Sequence, residues 1–125
     1  MNWARFPNFR EDEFRCRHTG FSAMDEIFMQ RLQDLRSALG FPFVINSGYR
    51  HPTHPVEAAK VRPGAHSLGK AADIRLAHGG QTYDVLTRAR EFGFTGIGME
   101  TIFVHLDICT TADLGGTVRP AAWSY

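Results

Sequence analysis

Residues 71–76 read AADIRL and residues 102–108 read IFVHLDI. Both stretches alternate as strands do, because successive side chains of an extended chain point to opposite faces. In the first, Ala72, Ile74 and Leu76 share one face and Ala71, Asp73 and Arg75 the other. In the second, Ile102, Val104, Leu106 and Ile108 oppose Phe103, His105 and Asp107. Each strand offers an apolar side to a core, and Asp73 and His105 both lie on the opposite side. If the strands are neighbours, those two residues converge. His66, on the glycine-rich turn PGAHSLG at 63–69, then reaches them from the entrance of the first strand.

The rest of the chain supplies a frame for this pair. FSAMDEIFMQRLQDLRSALGF is the clearest helix, with Ser22 as N-cap, Ile27, Phe28, Leu32, Leu35 and Leu39 inward, and Gly40 at the stop. PFVIN reads as a short buried strand. A loop rich in glycine and proline follows, with one helical turn at VEAAK. GQTYDVLTRAREFGF is a second amphipathic helix, with Val85, Leu86, Ala89 and Phe92 inward and Gly93 ending it. TGIGM adds a strand joined to IFVHLDI by a tight connection around Glu100. The N-terminal NFREDEFRCRHTGFS reads as an irregular arm packing its aromatics. The C-terminal RPAAWSY is too short for an element, with Trp123 and Tyr125 covering an edge of the core. The sum is α+β: two main helices on one face of a small, mainly antiparallel sheet, in a single domain over 1–125.

Composition narrows the function classes. The 125 residues are 43% hydrophobic and 22% charged, ordinary for a globular protein with one core. A formal net charge of +1 gives no electrostatic reason to expect nucleic acid or an anionic membrane as partner. No run approaches the roughly 18 apolar residues of a membrane span. Charges stand where a signal peptide would have its apolar stretch. Cys16 and Cys109 form neither a close pair nor a zinc-ribbon spacing, and two free thiols is the simpler reading.

Two imidazoles and one carboxylate are a ligand set of catalytic zinc, which keeps a further position open for water. Gly64 and Gly69 let the turn bend, and Ala71 and Ala72 leave space beside the ion. The set contains no cysteine, which suits catalysis better than a closed structural site. A solvated strand face gives the same His-x-Asp pattern; the strand alternation and the loop chemistry bring the metal reading level with it, and the residues alone do not choose between the two.

INSGYRHP, then PGAHSLGKAADI, then GIGMETIFVHLDI resemble, in order and spacing, the zinc D-Ala-D-Ala carboxypeptidases and L-alanyl-D-glutamate endopeptidases. That group shares its fold with the hedgehog signalling domain. The resemblance implies a hedgehog/DD-peptidase-like fold and zinc held by His66, Asp73 and His105, the trio that alternation selects. It also implies that Arg50 reaches the active site to hold a substrate carboxylate or polarise the scissile carbonyl. A guanidinium suits that work, being a planar fork of donors that stays charged. Ser47 and Tyr49 stand beside it as candidate substrate contacts.

One departure from the family matters. Some branches place the catalytic acid three residues before the last histidine, where this chain has Ile102; others place a histidine two residues before it, where it has Phe103. Two carboxylates remain as candidates for the base. Asp107 is favoured over Glu100 because the pleat fixes its side, and its other possible role is to orient a ligand imidazole. His18, His51, His54 and His78 have no assigned place. The expected function is a monomeric zinc peptidase acting on peptidoglycan stem peptides, as a phage lysis enzyme in the host cytoplasm or a virion-associated hydrolase. The alternative is a domain without catalysis that serves as a cell-wall-binding or phage structural module.

Overall fold

The computed structural model describes residues 1–62 and 64–125. Pro63, the first residue of the His66 turn as read from the sequence, lies outside them. Five strands form one sheet: β1 (Val44–Ser47), β2 (Ala71–Arg75), β3 (Gly96–Met99), β4 (Val104–Asp107) and β5 (Ala121–Ser124), in the order β1-β2-β4-β3-β5. All neighbours are antiparallel except β3 and β5. The result is an α+β architecture with a mostly antiparallel sheet.

The C-terminal segment does form an element. An edge strand needs a partner on one side only, and the backbone of Ala121 and Tyr125 donates to Thr95 and Met99 at 2.8 and 3.1 Å. Strand β4 begins later than its alternation suggests. The Glu100 amide donates to Phe103 O at 3.0 Å to close a turn, which leaves Ile102 58% exposed rather than on the apolar face.

Helix α1 spans Glu26–Leu39, and its N-cap is Asp25, not Ser22. Asp25 Oδ2 accepts from the Phe28 amide at 2.9 Å. The residues before it cannot join the helix, because the Asp25 amide donates to Gly69 O at 2.9 Å and holds the segment against the His66 turn. The buried face is Phe28, Met29, Leu32, Gln33 and Leu35. Ile27 is 59% exposed, since its helical neighbours at i+4 and i+7 are the polar Arg31 and Asp34. A short helix α2 (Pro55–Ala58) interrupts the connection from β1 to β2. Helix α3 (Gly79–Arg88) tightens into a 3-10 turn at Ala89–Phe92 before Gly93.

One core cluster joins side chains of α1 and α3 to Ala72, Ile74, Val104 and Leu106 of the two middle strands, and to Phe6, Phe9 and Phe14 of the N-terminal arm. Because those strand residues turn toward the core, the alternate positions of β2 and β4 face the other way. Cys16 and Cys109 are buried free thiols. Among the described residues, no helix is long and apolar enough to cross a membrane.

Candidate active site

Asp73 on β2 and His105 on β4 are direct cross-strand partners. His105 Nδ1 lies 3.0 Å from Asp73 Oδ1. The turn before β2 brings His66 Nε2 to 3.3 Å from the same oxygen. All three residues are buried, and their ligand atoms lie within 4.8 Å of one another. This is the one such group among the described residues that could hold a metal ion.

The far nitrogen of each imidazole is already engaged. His66 Nδ1 donates to Gly48 O at 2.7 Å; a carbonyl only accepts, so the proton sits on Nδ1. Burial lowers the pKa of His66 and keeps the ring neutral, with the Nε2 lone pair aimed at Asp73. His105 is turned the other way, its Nε2 donating to Asp107 Oδ2 at 2.7 Å. Burial opposes charge on His105, but hydrogen bonds to Asp107 and Asp73 outweigh it and its pKa is raised. Burial also pushes the Asp73 carboxyl up, yet the hydrogen bond and charge of His105 outweigh it and hold it far below the usual range. The donor set therefore fits a divalent cation: one anionic oxygen, one imidazole lone pair and one imidazole nitrogen whose proton a metal displaces.

Asp107 is the anchor of His105. It is fully buried, and both its oxygens are occupied. Oδ2 accepts from His105 Nε2 and from Arg119 Nη2 at 2.8 Å. Oδ1 accepts from Arg119 Nε and the Cys109 amide, both at 3.1 Å. Burial raises the Asp107 carboxyl, but His105 and Arg119 outweigh it and bring it down to about 2. Burial, with the same carboxylate adding to it, pushes the Cys109 thiol up to about 12. Arg119 in turn lies over the Trp123 ring, 4.7 Å from its centroid, and Trp123 packs beside the His105 ring.

Strand β3 is cut to fit this arrangement. A Cβ on Gly96 would lie 2.1 Å from Asp107 Oδ2, and one on Gly98 would lie 2.5 Å from Trp123 Nε1. The alternating glycines of GIGM are the sequence signal that something large occupies that face.

The trio sits in an open cleft of about 420 Å³, whose walls include Arg50, Phe103, Arg119, Trp123 and Tyr125. Trp123 and Tyr125 thus line the site rather than cover an edge of the core. Arg50 lies with Nη2 at 3.5 Å from Asp73 Oδ2 and Nη1 at 3.9 Å from Glu57 Oε2. Ser47 is the β1 partner of Asp73, and Tyr49 packs into the core cluster; neither lines the cleft. Glu100 also stands outside it, in the turn between β3 and β4, with Oε1 accepting from the Thr101 amide at 2.7 Å. That turn borders a second cavity of about 770 Å³, and Phe103 lines both it and the cleft. Among the described residues, Asp73 is the one carboxylate in the cleft wall. His54 and His78 cap α2 and α3 with their own side chains, while His18 and His51 lie outside the trio. Sequence reasoning missed Arg119 and Glu57.

A mixed sheet carrying a buried His–Asp–His cluster in an open cleft defines a candidate metallohydrolase centre. Residues 7–107 match the family described as Peptidase M15, and the chain belongs to that family. No curated protein matches the chain.

Proposed function

We propose that this protein is a zinc peptidase that hydrolyses peptide bonds in peptidoglycan stem peptides. One observation carries the reading: the Peptidase M15 chain brings His66, Asp73 and His105 together, buried, in a cleft open to a substrate. His66 Nε2, Asp73 and His105 Nδ1 are the ligands in this reading, and the single domain over 1–125 is the catalytic unit. When bound at such a site, zinc acidifies a water and polarises the scissile carbonyl.

The remaining roles belong to the chain's own residues. Gly48 O and Asp107 fix the imidazoles of His66 and His105 so that the correct nitrogens face Asp73. Arg50 presents N–H donors to the substrate carboxylate or the oxygen of the carbonyl under attack. Phe103, Trp123 and Tyr125 supply an apolar wall that limits water around the peptide. Asp107 spends both oxygens on orientation, so it is a positioning residue rather than the proton acceptor. Glu100 is then the remaining carboxylate candidate, and its turn must fold toward the cleft to serve. A phage-borne enzyme, in a lysing host or on a virion, would meet this substrate.

A second reading has a specific support. Ile102 stands where part of the family has its acid, and no carboxylate besides Asp73 lines the cleft among the described residues. A zinc-binding module without catalysis fits those two facts. Purified peptidoglycan separates the readings. The enzyme releases new amino termini, stops with chelator and resumes on adding zinc. Zinc bound one per chain with no release of amino termini would leave the binding module.

A further inference from the structure

Glu57 is a buried carboxylate outside the cluster that could hold a metal, and the mechanism above gives it no work. It sits on the four-residue helix α2 with its side chain fully buried. Oε1 accepts from the Gly64 amide at 3.0 Å and lies 2.9 Å from Ser67 Oγ, whose one proton is shared with Arg50 O at 2.6 Å. Oε2 accepts from Lys60 Nζ at 2.7 Å and faces Arg50 Nη1 at 3.9 Å. Burial raises the Glu57 carboxyl, but these donors outweigh it and the group stays ionised. An ion is an expensive way to fill a loop interior, where an apolar side chain would pack at lower cost. The geometry of Arg50 supplies a reason for it. The Arg50 side chain is 23% exposed, and its guanidinium is strung between two carboxylates, Asp73 through Nη2 and Glu57 through Nη1. Asp73 cannot be its sole anchor once that carboxylate is shared with a metal ion, since the cation draws on the same negative charge. Glu57 takes no part in the cluster and keeps its charge for the cations beside it.

We propose that Glu57 is the positioning residue of Arg50: it holds the guanidinium in the cleft, facing the substrate, independently of what Asp73 binds. The inference rests on the proposed peptidase reading for its kinetic consequence but not for its structural one. Glu57→Gln separates the two functions of the side chain. An amide oxygen still accepts from Gly64 and Ser67, so the His66 turn keeps its contacts. The amide nitrogen replaces the oxygen that faces Lys60 and Arg50.

Two readouts test this. The first is the heteronuclear NOE of the Arg50 Nε–H group, measured by NMR on zinc-loaded protein. Wild type gives a value near that of the backbone, and Glu57→Gln drops toward that of the exposed Arg10 side chain. An unchanged NOE overturns the proposal. The second is a double-mutant cycle on kcat/KM for soluble peptidoglycan fragments. Glu57→Gln costs roughly 10–100-fold in the wild-type background, the usual range for residues that orient a site. It costs less than about threefold in an Arg50→Ala background, because the residue it acts through is gone. Equal losses in both backgrounds overturn the proposal and mark Glu57 as a general support of the loop. So does a zinc affinity weakened in step with the rate, which would put its action on His66. If the wild-type protein cleaves no fragment, the peptidase reading fails and the NOE alone decides Glu57. Glu57→Asp, which keeps the charge and withdraws it by one methylene, gives the same two readouts should Glu57→Gln not fold.

Discussion

Asp107→Asn replaces one acceptor of a fully occupied carboxylate by a donor, in a place with no room to turn away. Four hydrogen bonds converge on Asp107, from His105, twice from Arg119 and from the Cys109 amide. If the new amide nitrogen faces His105, that ring must accept at Nε2 and carry its proton on Nδ1, the atom turned toward Asp73. If it faces the other way, it meets the Arg119 Nε–H and the Cys109 amide, two donors. Either orientation leaves the Arg119 guanidinium, whose side chain is 8% exposed, without its anion. Breaking a buried pair by removing one partner costs about 3–5 kcal/mol, and the isosteric amide keeps the lower end, about 3 kcal/mol. For a chain of this size that is a fall of roughly 10 °C in Tm. The misplaced imidazole proton lowers zinc affinity roughly 10–100-fold. Thermal unfolding of the metal-free protein and zinc competition against a chromophoric chelator measure the two effects separately. Wild-type Tm and zinc affinity, with turnover reduced about 10²–10⁴-fold, would refute this reasoning and make Asp107 the proton acceptor.

Further outcomes follow from the same geometry. Glu100→Gln leaves zinc binding and Tm unchanged; steady-state kinetics on stem peptides show a loss of about 10²-fold or more if Glu100 accepts the proton. Full activity there, beside an orienting role for Asp107, would remove both carboxylates from proton transfer. Arg50→Lys keeps zinc but loses most of its turnover, because lysine retains the charge and lacks the planar fork; unchanged kinetics would return Arg50 to a surface role. Gly98→Ala pushes a methyl group into the Trp123 indole. Its expected cost is about 1–3 kcal/mol in chemical unfolding, with a change in tryptophan emission. A wild-type unfolding midpoint would show that β5 yields freely.

The trio was legible because a strand has a period of two. Alternation fixes the faces of Asp73 and His105, so pairing the strands was enough to bring them together. His66 followed from its place on the turn that enters β2. The face of Asp107 was equally legible, but not its work, because Arg119 arrives from a loop beyond β4 that no periodicity governs. Glu57 was hidden for a similar reason: a four-residue helix has too few turns to show an inward face. The start of α1 was misread at Ser22, a good capping residue in isolation, because the backbone bond from Asp25 to Gly69 is a tertiary contact. Strand β5 was missed because four residues carry little signal, and its pairing depends on β3 being left with a free edge. Ser47 and Tyr49 came with Arg50 in the SGYR stretch, but β1 ends at Ser47, and beyond it the chain sends Tyr49 into the core cluster and Arg50 toward Asp73.

One ion and three residues make up the proposed centre, and anomalous diffraction at the zinc edge from crystals of the zinc-loaded protein measures them directly. It should place one zinc per chain within about 2.0–2.2 Å of His66 Nε2, an Asp73 oxygen and His105 Nδ1. His105 Nε2 should still be bonded to Asp107. Zinc bound elsewhere, or bound through His105 Nε2 with Asp107 displaced, would contradict it.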